Sequence, residues 1–539
     1  MEKIHFVKII DSENVEDIEA LEINAKKKSH IFDAPTAKIN RDGHVILDFG
    51  KEICGRVHVV YSWNDGDKVR IRTGESVAET CAELGEKGAC NDHSLRDAVY
   101  PSLKLSDFST TETGFRFVRL DSLEGTVKII SIYAEETPNG LNRIGDFECN
   151  DEEINKIFKV AVRTLSLCTR DEEIWDAIKR DRIVWIGDFY PELIGLFPLY
   201  GDIKQFKNVF DSFGSFDKRW ANGLPSYSAW WLLCLCEYYE LSGDKDYFLS
   251  KIDDIHDVID AFDSIIKENG RISPNDGIVP TNGDFNYFID WPSNQTKDSE
   301  IGWRYLILMM LRKAKTVLSG FDEDVSKIEA MISRLSSYSY EQSSFKQVTA
   351  LGVLADMIDG EKAKELLKKD GAMGMTCFMS TIIMKALMKL GEGEFALETI
   401  KEYYGAMLKM GATTFFEDFD MEWLKDDPDP ITEMPKENKK NIHADYGKFC
   451  YKGLRHSLCH GWSSGFIFFF FDYILGVTAL EPGYKTISVV PHLSGLAKAN
   501  GIIATPYGPI KVSHKLIDGK VHTELDLPKG VQISDGLAK

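Results

Sequence analysis

The sequence predicts a multidomain α+β protein: an N-terminal β-sandwich, a large helical domain and a small C-terminal β-domain. Two periodicities carry this reading. Apolar residues recur with a period of two in short runs before about residue 145 and after 476, and with a helical period between them. Composition is the third observation. At 539 residues, 43% hydrophobic and 11% aromatic, the chain holds material for several cores.

The alternating runs 44–49, 55–61, 68–72, 115–120 and 127–132 are separated by Gly, Asp and Asn turns such as 64–67, which is the pattern of a sandwich over 1–145. Asn150 followed by Glu153 reads as a helix cap opening a helical domain over 146–476. Helices are predicted over 226–241 (ended by Gly243), 244–268, 299–318, 342–358, 381–390, 392–410 and 462–475. No fixed-length repeat marks a solenoid, which leaves a large helical domain, with a closed ring of hairpins as one arrangement open to it. Two long loops interrupt it. The loop 274–300 carries Phe285, Tyr287, Phe288 and Trp291, while 425–441 is polar; the aromatic one is the better functional candidate. Strands at 484–490, 510–516 and 521–525, the last two joined by Asp518-Gly519, make the β-domain 477–539.

A net charge of −21 argues against nucleic acid and suits a neutral small-molecule partner. The first twenty residues lack a secretory pattern. The most apolar stretch, 465–477, is too short for a bilayer and contains Asp472. The ten cysteines form no CxxC pair and read as free thiols of a cytoplasmic protein. Phosphate-binding loops and Gly-x-Ser-x-Gly are absent, and no cofactor is expected. The assembly is left open, a homodimer included.

Four segments carry candidate chemistry. Residues 175–188 (WDAIKRDRIVWIGD) pack three aspartates, two arginines, a lysine and two tryptophans among isoleucines and a valine. Carboxylates beside indoles and guanidinium groups describe a sugar pocket, where rings cover the apolar face and carboxyls do acid/base work. The competing reading is a surface ion-pair cluster. A second acidic cluster, 411–420 (GATTFFEDFD), supplies Glu417; its competing reading is a helix-to-loop junction with solvated acids. Glycoside hydrolysis uses two carboxyl groups that can be distant in sequence. His456 and His460, four apart, are candidates for a hydroxyl contact before a metal, since no HExxH accompanies them. No calcium loop is evident either, so no metal is expected. Asp290-Trp291-Pro292 is the fourth candidate, against a turn anchored by a buried Trp.

The stretch 175–188 resembles the signature of the inverting α-L-rhamnosidases of glycoside hydrolase family 78. In the same order, 45–55 (VILDFGKEICG), 411–417 (GATTFFE), 457–462 (SLCHGW), 482–487 (PGYKTI) and Pro491-His492 resemble further family segments. The resemblance implies an (α/α)6 barrel between β-domains and hydrolysis of terminal α-L-rhamnose from small rhamnosides or oligosaccharides. It implies Asp181 as general acid and Glu417 as general base. Asp176, Arg180, Trp185, Asp188 and His460 would line the sugar, with Trp231 and Trp291 as aromatic walls in competition with Trp230 and Trp303. The chain departs from the family in three ways. Many members carry a Glu acid in a segment one residue longer, Phe416 replaces a Trp, and the extra domains of larger members are missing. The acid would be protonated by the influence of Asp176 and Asp188 against Arg180 and Arg182. Alternatives are a related barrel glycosidase for another sugar, or a non-catalytic sugar-binding protein on the same fold.

Overall fold

The computed structural model describes residues 3–26, 34–281, 283, 286–294, 296–338, 343–447 and 452–534. Its first sheet has eight strands, all between Lys3 and Glu136. The centre is the long strand Ala37–Tyr61. It pairs antiparallel with Lys8–Glu16, Asp107–Ser109 and Thr113–Ser122, and parallel with Val127–Glu136. The runs 44–49 and 55–61 are both parts of this strand. Its register on Thr113–Ser122 jumps between Asp48 and Ile53, and Gly50 supplies a left-handed φ of 77° at that irregularity. By hydrogen bonding, then, the expected sandwich is one continuous sheet. Val45, Leu47, Phe49, Val57 and Val59 alternate into its apolar core.

Helices take over at Glu152–Cys168. Its cap is Asp151, whose carboxylate accepts from the Glu153 and Ile154 N–H groups. Asn150, the cap expected from sequence, instead accepts from the N–H groups of Ala497 and Lys498 at 2.8 and 3.1 Å. A charged acceptor gains from the helix dipole at this position, which the neutral amide does not. The helices Glu152–Cys168, Ile186–Tyr200, Pro225–Ser242, Lys297–Ser319, Lys346–Leu354, Ser380–Lys389 and Gly393–Lys409 pack each on the next, and the last packs on the first.

Pro225–Ser242 ends as expected at a left-handed Gly243. The span 244–268 splits into Lys245–Ser250 and Ile252–Ile265, because Lys251 leaves helical geometry. Gln342 lies outside the described residues, as does Phe285. The stretch 462–475 forms no continuous α-helix: a 3-10 segment, Gly461–Ile467, passes through Phe468 and Phe469 into a π-helical turn, Phe470–Ile474. Packing a run of buried phenylalanines overrides the regular register there.

Two small sheets follow. Val477–Ala479, Thr486–Val489 and Gln532–Ile533 form one; Lys498–Ile503, Ile510–Ile517 and Lys520–Asp526 form the other with Asp146–Cys149. The chain thus crosses to the C-terminal sheet before its first long helix. Asp518 and Gly519, both at positive φ, make the expected two-residue hairpin. Helices therefore fill the middle of the chain and sheets its two ends. No helix among the described residues is long and apolar enough to cross a membrane.

The Asp151 cap carries two backbone bonds and an ion pair to Lys401 at 2.5 Å. Asp151→Ala is expected to destabilise the helical region by about 1 kcal/mol, read as a lower unfolding midpoint. Asp151→Asn should lose less, because it keeps the acceptor.

Candidate active site

Between Cys168 and Ile186 the chain has no helix or ladder strand. It is shaped by its own bonds. Asp176 N–H donates to Ile183 O at 3.1 Å, and Ile183 N–H donates to Asp176 Oδ1 at 3.2 Å. Inside that closure Asp181 and Arg182 both adopt left-handed backbone, φ 57° and 55°. Two successive non-glycine residues in this region store strain, which the surroundings must hold. Arg182 is fixed by bonds to Ile178 O and Glu112 O at 3.0 and 3.1 Å and sits 5.3 Å over the Trp175 ring. The Asp181 N–H donates to His93 Nδ1 at 2.7 Å.

The result is a pocket of about 230 Å³. Asp176, Asp181, Asp188, Glu417 and His460 supply its polar lining. Aromatic rings supply one wall: Trp185 meets Tyr227 edge-on at 6.0 Å, Tyr227 meets Phe288 at 6.1 Å, and Phe288 meets Trp291 at 5.2 Å. Trp462, 4.3 Å from the His460 ring, belongs to the lining as well. Gly187 is required by this wall, since a Cβ there would stand 2.7 Å from the Tyr227 ring.

Three chain segments supply the polar lining of the pocket, around 176–188, 417 and 460. Residues 456–462 knit the other two. Gly461 N–H donates to Asp176 O at 2.8 Å, His460 N–H to Phe415 O at 3.0 Å, and Glu417 N–H to Ser457 O at 2.9 Å. The Trp462 indole donates to Glu417 O at 3.0 Å.

Arg180 lies at the centre, with its side chain 1% exposed. One arm of the guanidinium pairs with Asp181 Oδ2 and the other with Glu417 Oε2; Nε donates to Arg455 O at 2.7 Å. Burial alone would raise the Glu417 pKa. The Arg180 charge and its hydrogen bond, with the Ser457 N–H at 2.8 Å, outweigh it and hold this carboxyl well below the usual range. His460 stands 3.9 Å from both Asp188 and Glu417. Burial pulls its pKa down to about 3, so it is neutral near pH 7 and Arg180 is the cation beside Glu417. Asp176 and Asp188 go the other way. Burial pushes both well up, helped by the Asp181 charge at Asp176 and by Asp176 and Glu417 at Asp188.

The structure brings together Asp176, Arg180, Asp181, Trp185, Asp188, Trp291, Glu417 and His460 from the expected set. Asp290 borders an adjoining cavity of about 20 Å³ that shares Trp291, Glu417 and Trp462 with the pocket. That is room for one water. Asp290 accepts from Thr376 Oγ1 at 2.7 Å, and burial raises its pKa to about 7. Trp231 is a correction: it is fully buried against Phe210 and Phe216, one turn beyond the Tyr227 that does reach the pocket. Trp230 and Trp303 are core residues too. Sequence reasoning missed Tyr227 and Trp462 as wall residues, and His93, which lies in the loop before the strand Asp97–Pro101; Phe288 was named only as part of the aromatic loop 274–300. Their only signal was aromaticity, shared with the core. His456 and His460 share no helix face; His456 instead packs on His443, with ring centroids 4.8 Å apart. Among the described residues, Glu75, Glu79 and His443 lie close enough to hold a metal, but the Lys179 ammonium sits 2.9 and 3.4 Å from the two carboxylates.

Comparison with known proteins follows the same lines. Residues 476–534 match a sequence model of the bacterial alpha-L-rhamnosidase C-terminal domain. An alpha-L-rhamnosidase of Formosa agariphila is 22% identical over 180 residues, 32% of this chain and 19% of that protein. A family 78 rhamnosidase structure from Bacillus sp. GL1 superposes with a TM-score of 0.72 at 18% identity, covering 94% of this chain and 53% of that one. A Klebsiella oxytoca rhamnosidase with rhamnose bound gives 0.68 at 17% identity, covering 87% and 95%. This chain therefore spans about half the length of the Bacillus protein and matches about a fifth of the Formosa one. Over nearly its whole length the chain shares the fold of these family 78 rhamnosidase structures, and residues 476–534 are similar in sequence to the bacterial alpha-L-rhamnosidase C-terminal domain.

Proposed function

We propose that the protein is an inverting α-L-rhamnosidase that releases terminal rhamnose from small glycosides. One observation carries the reading: a single buried guanidinium joins two carboxylates from distant segments in a pocket walled by aromatic rings. The Klebsiella relative's bound rhamnose supports the choice of sugar. The ring of helix contacts supports an (α/α)6 barrel over 146–476, between β-domains 1–145 and 477–539.

In this reading Asp181 protonates the glycosidic oxygen as the bond to the anomeric carbon breaks. Glu417 takes a proton from a water attacking the opposite face. Inversion needs about 6.5–9.5 Å between the two carboxyls for that water, and the small cavity beside Glu417 and Asp290 is a source of it. Arg180 keeps Glu417 ionised and ready as a base. Burial pushes Asp176 and Asp188 toward the neutral form, in which a carboxyl both donates and accepts hydrogen bonds, and this suits sugar hydroxyls. His460 Nδ1 has no hydrogen-bond partner among the described residues and is another hydroxyl contact. The arc from Trp185 to Trp291 faces the C–H side and the methyl of rhamnose.

Hydrolysis of a chromogenic α-L-rhamnoside tests the activity. Asp181→Asn and Glu417→Gln should each lower kcat by about 10²–10⁴-fold with the fold retained, and NMR should detect the β-anomer first. Wild-type rates in either variant, or a first-formed α-anomer, would sink the assignment.

Arg180→Gln should raise the Glu417 pKa, because it removes the charge that opposes burial. The base then protonates at higher pH, so the acidic limb of kcat/KM must move to higher pH. An unmoved limb would contradict the role given to Arg180.

Binding can be read without turnover. On a Glu417→Gln background, calorimetry with L-rhamnose should show weaker affinity for Trp185→Ala and a larger loss for Asp188→Ala. Asp188→Asn should lose less than Asp188→Ala, since an amide keeps the acceptor and adds the donor that a carboxyl pushed toward its neutral form supplies. Equal affinities throughout would put the sugar elsewhere.

A further inference from the structure

The first sheet does more than precede the helical region. Where its strand Lys68–Gly74 ends, Glu75 projects a fully buried carboxylate toward the far side of the residues that carry Glu417. Glu75 Oε1 accepts from the Ser457 hydroxyl at 3.0 Å, and Oε2 accepts from the Leu458 N–H at 2.7 Å and pairs with Lys179 at 2.9 Å. The Ser457 N–H donates to Glu417 Oε2 at 2.8 Å, and Ser457 O accepts from the Glu417 N–H at 2.9 Å. One residue, Ser457, therefore touches Glu75 with its side chain and Glu417 with both its backbone groups.

The same strip is gripped from the motif side. Lys179 Nζ donates to Leu454 O and His456 O at 3.0 and 2.7 Å, and Arg180 Nε donates to Arg455 O at 2.7 Å. Glu75 and Lys179 thus hold residues 454–458 from below as Arg180 and Glu417 use them from above. A buried carboxylate and ammonium are retained at a high desolvation cost, and a fixed geometry is the return.

We propose that Glu75, supplied by the N-terminal β-region, is a positioning residue for Glu417, acting through Ser457 and Leu458. The proposal rests on the reading of Glu417 as general base. Glu75 touches neither sugar nor water; it fixes the Ser457 N–H against Glu417 Oε2. Without it, residues 457–458 relax, that bond lengthens, and Glu417 loses both aim and part of what keeps it ionised. The role is one of shape. A glutamine at 75 can still accept from Leu458 N–H and Lys179 while its amide donates to Ser457 Oγ, which can turn its own proton to Cys459 O, 3.0 Å away.

The test uses the full chain and an aryl α-L-rhamnoside. Glu75→Ala should lower kcat by roughly 10–100-fold, the scale of a small misplacement of a reacting group, with KM near the wild-type value. Its acidic limb of kcat/KM should move to higher pH, while the side chains of Arg180, His460, Asp188, His456 and Cys377, charged or titratable groups that also act on Glu417, are unchanged. Glu75→Gln should recover most of kcat and return the limb. Simple destabilisation would lower the amount of active enzyme without moving the limb. Ser457→Ala, which removes only the hydroxyl contact, should shift the limb the same way by less and covers the case in which Glu75→Ala does not fold. An inactive wild type would overturn the reading of the site. An active wild type with an unmoved limb in both Glu75→Ala and Ser457→Ala, or a Glu75→Gln as impaired as Glu75→Ala, would overturn the positioning role.

Discussion

The site depends on one cation. Asp176, Asp181, Asp188 and Glu417 share one pocket, three of them buried, and four ionised carboxylates could not coexist there. Arg180 holds one of them, Glu417, ionised. Its guanidinium spans Asp181 and Glu417 and leaves Asp176 and Asp188 to the effect of burial. Glu417 is held ionised; Asp176 and Asp188 are pushed toward the neutral form. A lysine would not serve, because a point charge has no fork with which to span two segments.

That cation is useful only if its partners are held still, and the fold does this without a helix or ladder strand across the contact. The strip 454–458 takes Lys179 and Arg180 on its carbonyls and offers an N–H to Glu417. Residues 460–461 close onto Asp176 and Phe415. The motif itself is folded back by the Asp176–Ile183 pair, and its left-handed turn at Asp181 is held by the His93 contact. Irregular backbone is the means by which residues from three parts of the chain converge, and the helices set the distances over which it must bend.

Much of this was legible in the sequence. The period of two, then of 3.6, then of two again, located sheets and helices, because those signals come from local burial. Boundaries were harder: Asp151 outcompeted Asn150 as cap by its charge, and the phenylalanine run 466–471 took 3-10 and π geometry through packing. The motif 175–188 stood out because no ordinary core or surface carries that mixture. Its link to Glu417 had no spacing rule behind it and came from the resemblance of several segments taken together. Aromatic walls were least legible. Tyr227 and Trp231 sit one turn apart on the same helix, yet only the first reaches the pocket. A residue string records neither helix end nor neighbour, so the choice among Trp230, Trp231, Trp291 and Trp303 could not be made before the packing was known.

The first sheet is part of this machinery rather than an appendage to it. Gly114, on the strand Thr113–Ser122, comes so close to the motif that a Cβ would stand 2.6 Å from the Ile178 side chain and 2.9 Å from Lys179 N. Ser94 Oγ donates to Lys179 O at 3.0 Å, Asp92 pairs with Arg455, and His93 meets Asp181. These contacts fall on both sides of Arg180 and on the residue whose carbonyl holds it. A helical region without the sheet would leave Lys179 a buried ammonium deprived of Glu75 and Glu79, and a buried charge without its partners is costly enough to force the surrounding chain to move. The motif would then lose the floor on which its left-handed turn rests. The carboxylate pair would go with it, because Arg180 can bridge Asp181 and Glu417 only while residues 179–182 and 454–458 keep their present spacing.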